Sequence, residues 1–168
     1  MTFEDPKLPA ILDKIQAGLT LGRTLSRTLD GDDALTIYRS HDLHGIARLA
    51  NLVREQHHGR TTWARLDLGA APVSTAAREA RIAALLDYGA ADSYEPPLEL
   101  GMSGYTYLKH VAVARLLLNR VDHIVVRHCP EVENVCQLAL GFGADTLLGT
   151  NVSELERQVR AAGLSPKL

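Results

Sequence analysis

The first third of the chain has apolar residues at helical spacing. In residues 8–15 they recur every three or four positions, which predicts an amphipathic helix. Two more such stretches follow, one after a candidate N-cap at Asp30 or Asp32 and one that runs to Gly59. We therefore expect a helical segment over residues 1–59.

From residue 60 the pattern changes to short extended runs that alternate with helices. The predicted strands are TTWARLDLG (61–69), DSYEPPLEL (92–100), DHIVVRHC (122–129) and DTLLG (145–149). The predicted helices are STAAREARIAALLDYGA (74–90), with Ser74 or Thr75 as cap, YTYLKHVAVARLLLNR (105–120), PEVENVCQLALGFG (130–143) and VSELERQVRAAG (152–163). Four strand–helix units in series predict a parallel sheet with crossover helices.

The predicted strands alternate between apolar and polar positions. Ala64 and Leu66 share one face of the first strand, and Arg65 and Asp67 share the other. A parallel strand covered by helices on both faces should be apolar throughout. The pattern therefore favours helices on one side of the sheet and a polar, concave lining on the other, as in a barrel with a cavity.

Five charged residues are expected to face the same side near neighbouring strand ends: Arg65, Asp67, Glu95, Glu99 and Arg127. They could bind a small polar ligand, nucleoside-like or carboxylated, because arginine recognises carboxylate or phosphate and glutamate accepts hydrogen bonds from a sugar or base. They could equally form a salt-bridge layer between two subunits or beneath the N-terminal helices. Glu95 and Glu99 would lie about 13 Å apart along an extended strand, too far to share one proton.

The sequence His128-Cys129-Pro130 follows a predicted strand, where ligands bind in parallel βα sheets. His128 is therefore a candidate ligand-binding residue, and the Cys129 thiolate is a weak candidate for binding haem or a metal ion. In the alternative interpretation Pro130 is the first residue of a helix and Cys129 is a small buried apolar side chain.

His57 and His58 close the helical segment. Adjacent histidines on a helix point in different directions, so they do not form a chelating pair. The helix C-terminus favours imidazolium through the helix dipole, which explains them without a metal ion.

Composition narrows the function classes. With 168 residues, 46% hydrophobic and 23% charged, the chain is a globular domain with room for a core. A net charge of −2 without a basic block argues against nucleic acid, and no apolar run reaches the roughly 20 residues of a membrane span. The acidic start does not resemble a signal peptide, and two cysteines do not make a disulfide framework. We expect a cytoplasmic protein without a cofactor.

Three segments of the second half carry a family resemblance. They are VAVARL (111–116), then His123-Ile124, then QLAL (137–140) with Gly143-Ala144-Asp145 and Gly149-Thr150. With the N-terminal stretch, they resemble radical-SAM enzymes of the futalosine route to menaquinone. These are aminofutalosine synthase and dehypoxanthine futalosine cyclase, related to cofactor F420 precursor synthases. Arg115 and Asp145 match family positions and could equally be structural.

One family feature is missing from the sequence. The family has a CxxxCxxC triplet after its first barrel strand, and its three thiolates hold a [4Fe–4S] cluster. These 168 residues contain no such triplet and two cysteines in total. The resemblance thus implies a truncated relative that lacks the cluster-binding half of the barrel, and it argues against radical chemistry.

These observations predict an α/β fold, in which a helical N-terminal segment (1–59) leads into a four-stranded parallel (βα)4 half TIM barrel (60–168), together one compact domain. The function expected is that of a degenerate, non-radical relative that binds a small molecule or assists assembly. A small enzyme of menaquinone or related cofactor metabolism is the alternative. A half-barrel leaves open edges and an uncovered face. We expect a homodimer to cover them, although the N-terminal helices or a full-length relative could do so.

Overall fold

A computed structural model describes residues 2–20, 29–99, 101–118, 120–129 and 135–168 of the chain. The helices in these residues are α1 (Leu8–Thr20), α2 (Gly31–Arg39), α3 (Leu43–His58), α4 (Arg78–Leu86), α5 (Gly104–Leu117), α6 (Cys136–Leu140) and α7 (Val152–Ala161). The strands are β1 (Thr61–Leu66), β2 (Ala91–Tyr94), β3 (Val121–Arg127), β4 (Thr146–Gly149) and β5 (Ser165–Lys167). Among them, no helix combines the length and apolar character that crossing a bilayer requires.

The three N-terminal helices form as predicted. Asp30 is the N-cap of α2, and its side chain accepts hydrogen bonds from the backbone of Asp32 and Asp33, with Asp33 completing a capping box. Helix α3 ends at Gly59, which has φ 58° and ψ −126°, a conformation that favours glycine. Helices α2 and α3 both pack against α5, so the N-terminal segment shares a core with the rest of the domain.

The five strands form one parallel sheet in the order β2-β3-β4-β1-β5. The parallel α/β prediction is confirmed, but the prediction of four strands was wrong. Strand β5 pairs with β1 through Thr61 opposite Ser165 and Trp63 opposite Lys167. The pattern hid this strand because it is three residues long and contains Pro166, a residue found in sheets mainly on edge strands.

The strand order differs from that of a half TIM barrel, in which each strand lies beside the next one in sequence. Here β1 lies between β4 and β5, and the chain crosses β4 and β3 to reach β2. A half TIM barrel is therefore not confirmed. The order follows from the connection after β1, which hydrophobic periodicity does not predict.

The two faces of the sheet differ as the alternation predicted. Helices α5, α6 and α7 contact one another and the strands, and buried Ala64, Ile124 and Leu147 share that side of the sheet. The opposite face carries Arg65 and Arg127, each in register with Leu148 of β4. No helix of the described residues packs extensively against this second face, which we call the open face.

Several predicted boundaries were wrong. Helix α4 begins at Arg78 with Ala77 as N-cap and no side-chain cap, so neither Ser74 nor Thr75 caps it. Strand β2 ends at Tyr94, before two prolines that cannot donate to a sheet. The predicted helix start at Pro130 lies outside the described residues.

The connection after β1, residues 67–77, crosses the carboxyl edge of the sheet, and we call it the crossing loop. The Asp67 amide donates to the Gly149 carbonyl at the end of β4 (3.0 Å). Farther along, Val73 forms a parallel bridge with Leu98, beyond the end of β2. The loop thus passes over the ends of the strands and covers part of that edge.

Candidate functional site

Arg127, at the end of β3, anchors the crossing loop. Its Nε and one terminal nitrogen donate to the two carboxylate oxygens of Glu95, each at 3.0 Å, in a bidentate pair. The other terminal nitrogen donates to the Gly69 carbonyl at 3.0 Å and lies 3.1 Å from an Asp67 oxygen. The guanidinium is buried, and its donors are used within the protein. Arg127 therefore shapes the site by holding Glu95 and the loop together.

The electrostatics of this cluster follow from the arginine. The hydrogen bonds that Arg127 donates to Glu95, and to a smaller extent those to Asp67, raise the pKa of Arg127 above its ordinary value. The Arg127 hydrogen bond lowers the pKa of Asp67, and the Gly69 amide, which donates to Asp67 at 2.6 Å, lowers it further. Asp67 thus stays ionised at neutral pH.

A cavity of about 590 Å³ lies under the crossing loop at the carboxyl ends of the strands. It is lined by Asp67, Leu68, Gly69, Ala70, Ala71, Val73, Leu98, Arg127, His128, Cys129 and Thr150. The volume is within the range of small-molecule sites, and the carboxyl edge is where parallel α/β sheets bind ligands. Its apolar members, with Asp67, His128 and Thr150, suit a ligand with an apolar body and a polar end.

A second cleft of about 360 Å³ lies on the open face. Arg65 of β1 and Glu95, which follows β2, line it from opposite sides of the β3–β4 pair. Asp67 and Arg127 line both spaces. Arg65 is exposed and makes no hydrogen bond or ion pair within the described part of the chain. It is the cation of the predicted set that is available to a ligand.

Four of the five charged residues predicted to lie together do so, and Glu99 does not. Its carboxylate pairs with Arg81 of α4 and lies 3.2 Å from His110 Nε2 of α5, on the helical side of the molecule. The prediction that Glu99 shares the face of Glu95 was wrong, because the strand ends at Tyr94 and the alternation stops with it. Burial lowers the pKa of His110 to about 4, so this imidazole is neutral at pH 7.

His128 and Cys129 lie at the predicted mouth of the sheet. Both line the cavity, and the His128 amide continues the β3–β4 pairing by donating to the Leu148 carbonyl at 2.7 Å. Cys136 is buried, and its thiol donates to the Arg127 carbonyl at 3.4 Å. Two cysteines do not fit the three-thiolate set of a radical-SAM cluster.

A second polar cluster lies at the amino ends of the strands, where α3 ends. His123 Nδ1 of β3 lies 2.7 Å from an oxygen of buried Asp145, and His58 Nε2 lies 3.6 Å from the other oxygen. Arg115 of α5 donates to the same carboxylate. The two imidazoles stack with their centroids 5.1 Å apart, and Trp63 contacts both edge-on.

The sequence pattern does not predict this cluster, because its members lie in different elements. The helix dipole at the end of α3 explains His58, and Asp145 matches a family position that could equally be structural. The sequence does show charged and imidazole groups at the ends of three elements. Their meeting depends on the end of α3 lying near the amino ends of the strands.

One comparison with characterised proteins gives a match. The chain is 39% identical over 61 residues to aminodeoxyfutalosine synthase of Thermus thermophilus. The matched stretch is 36% of this chain and 14% of that enzyme, so the chain spans a small part of its relative. This match supports a distant relationship to that enzyme family. No protein-family model and no solved structure matches the chain.

Proposed function

We propose that this protein is a non-radical relative of the futalosine-pathway enzymes that binds a small molecule in the cavity under the crossing loop. The ligand has an apolar body and an anionic or hydrogen-bonding end, as in a nucleoside or an aromatic carboxylate. The observation that carries the proposal is the cavity of about 590 Å³ at the carboxyl ends of parallel strands. Arg127 holds the wall of this cavity through its bidentate hydrogen bonds to Glu95.

The rigidity of the wall supports binding. Arg127 fixes Glu95, Gly69 and Asp67 through charged hydrogen bonds, so little conformational entropy is lost there when a ligand enters. Leu68 and Val73 line the cavity, and both apolar side chains are largely exposed to solvent. A bound ligand would cover them.

Arg65 is the residue that we expect to contact an anionic end. It lies in the adjoining cleft that shares Asp67 and Arg127 with the cavity, and it is not engaged by described residues. A charged hydrogen bond to it would contribute about 1.5–3 kcal/mol, or roughly a 10- to 100-fold change in affinity.

Binding is tested by calorimetry with purine nucleosides and aromatic carboxylates as probes, beside native mass spectrometry of freshly purified protein. We expect one series to bind wild type, and Arg65→Ala to weaken carboxylate binding about 10- to 100-fold. Arg48→Ala is the matched control, because Arg48 is an exposed arginine of α3 remote from both spaces. Wild type that binds neither series and retains no small molecule on purification would overturn the proposal.

An enzyme of related cofactor metabolism is the second candidate, favoured by the match to aminodeoxyfutalosine synthase. It differs from a binder in one observable, namely whether the bound probe is recovered unchanged. Mass spectrometry of the probe after incubation with the protein distinguishes the two, since a new product mass indicates turnover.

We also propose a homodimer. The open face is uncovered by helices in the described residues, although parallel sheets are commonly covered on both faces. Leu66, which lines the cleft on this face, is 62% exposed. Light scattering coupled to gel filtration should give twice the chain mass, and Leu66→Asp should shift it to the monomer. A wild-type monomer at micromolar concentration contradicts this part of the proposal.

A further inference from the structure

We propose that His58, His123 and Asp145 form a binding site for a divalent transition-metal ion of the Zn²⁺ class. The site is at the amino ends of the strands, away from the cavity, and is independent of the proposed ligand. One ligand atom from each residue lies within 4.8 Å of the other two. The three residues come from the end of α3, from β3 and from the position before β4, so the ion would link the helical segment to the sheet.

The distances between ligand atoms suit a small ion. Ligand atoms around tetrahedral Zn²⁺, at about 2.0–2.1 Å from the metal, lie roughly 3.4 Å from one another. His123 Nδ1 lies 2.7 Å from one Asp145 oxygen and His58 Nε2 lies 3.6 Å from the other, on either side of that value, so the two imidazoles approach the two oxygens of one carboxylate. A metal ion would replace the proton shared by His123 and Asp145, and that gap would widen by roughly 0.7 Å. His58 Nε2 also lies 2.6 Å from the Asp122 carbonyl, a contact that it would exchange for the ion.

Neighbouring donors hold the carboxylate in place. Thr146 Oγ1 donates to the same Asp145 oxygen that meets His123, at 3.0 Å, and the Ile124 amide donates to the other at 3.1 Å. Arg115 donates to that second oxygen. Such outer contacts orient metal ligands, so the site is prepared before an ion arrives.

Arg115 also determines which ions bind. Its positive charge offsets that of Asp145, so the carboxylate alone attracts a cation weakly. The two imidazoles must then supply most of the affinity. Imidazole suits Zn²⁺, Co²⁺, Ni²⁺ and Cu²⁺, whereas Mg²⁺ and Ca²⁺ require oxygen ligands. We therefore expect the site to discriminate strongly between these two groups of ions.

An ion can reach the cluster from solvent. The side chains of His58 and His123 are 12% and 16% exposed, while Asp145 is fully buried behind them. Trp63, the one tryptophan in the sequence, lies with its ring 5.0 Å from that of His58 and 4.5 Å from that of His123. Its fluorescence is thus a local reporter of binding.

The test is titration of metal-free protein, made without a histidine tag, with Co²⁺ and Cu²⁺. We expect saturable quenching of Trp63 fluorescence at one equivalent, a visible absorption band for bound Co²⁺, and displacement of Co²⁺ by Zn²⁺. Mg²⁺ and Ca²⁺ should give no change. Zn²⁺ should also raise the thermal unfolding midpoint, because it binds the folded chain preferentially.

Variants identify the ligands. His58→Gln and His123→Gln should each weaken Co²⁺ binding by more than about 100-fold, since loss of even an outer partner costs about 10- to 100-fold. Glutamine keeps a hydrogen-bonding group, and circular dichroism verifies folding. His44→Gln is the control, because His44 is an exposed histidine on the same helix, α3.

Two results overturn the site. One is the absence of saturable Co²⁺ binding by folded wild type, which leaves the cluster as a structural hydrogen-bond network around Arg115. The other is equal affinity in wild type and in both ligand variants, which would assign the ion to another part of the chain.

Discussion

At the scale of single residues, Arg127 connects more of the candidate site than any other predicted side chain. It joins the end of β3 to Glu95 and to two positions of the crossing loop. Its partners are spread over the sequence, so their convergence depends on the strand order. The residue predicted to bind ligand instead builds the wall that a ligand would contact.

Arg127→Ala should lower the free energy of unfolding by about 3 kcal/mol, because it leaves the largely buried Glu95 carboxylate without its cation. Urea denaturation measures the change. Arg157→Ala is the control, since Arg157 makes an exposed ion pair with Glu154 and should cost less than about 0.5 kcal/mol. Equal effects of the two substitutions would mean that the Arg127–Glu95 pair contributes no more to the free energy of unfolding than an exposed ion pair does.

The buried imidazole of His110 should make stability depend on pH. Its pKa is about 4 in the folded chain and 6.5 in the unfolded chain, so protons bind the unfolded state first as the pH falls. The contribution of His110 is therefore complete above pH 6.5 and is lost between pH 6.5 and 4, by about 3 kcal/mol in total.

Comparison with His110→Gln over that pH range isolates this effect. The difference in unfolding free energy between wild type and the variant should fall as the pH is lowered from 6.5 to 4. A difference that stays constant over this range would show that the His110 imidazole is not held neutral by burial.

At the scale of elements, helix ends were predictable where local chemistry decides them. Asp30 caps α2 and Gly59 ends α3, as the sequence indicated. The start of α4 was not predictable, because the crossing loop holds Ser74 in a backbone bridge, and the Ser74 hydroxyl accepts from Ala76 instead of capping the helix. Strand β2 was overestimated because its two prolines were counted within the extended run.

Gly59→Ala should destabilise the protein by about 1–2 kcal/mol, because φ 58° with ψ −126° is strained for a residue with a Cβ. No atom crowds the position, so the cost would come from backbone conformation alone. Gly89→Ala is the matched control, since Gly89 is equally open and lacks the positive φ. Thermal unfolding of the two variants compares them directly, and the prediction fails if their midpoints fall equally.

At the scale of the whole molecule, α5 joins the two predicted segments. It packs against α2 and α3 on one side and against β3 on the other, and it is buried along most of its length. This shared helix supports the prediction that residues 1–59 and 60–168 form one compact domain. Unfolding experiments test that prediction.

We expect a single unfolding transition in urea. Trp63 reports on the sheet, whereas far-ultraviolet circular dichroism is dominated by the helices, including α1 to α3. The two signals should change at the same denaturant concentration, as in other small cooperative domains. Separate midpoints would show instead that the helical segment unfolds independently.

The sequence by itself determined the helical N-terminal segment, the parallel α/β class and the polar open face of the sheet. Each depends on periodicity and on caps, which act over a few neighbouring residues. Only the tertiary structure decided the strand order, the fifth strand, the position of Glu99 and the meeting of His58, His123 and Asp145. These depend on which distant segments pack together, and the local pattern of a chain does not specify that choice. Arg127 illustrates both cases. The alternation of polar and apolar residues predicts the face of the sheet on which Arg127 lies, but its partners depend on the path of the crossing loop over the strand ends.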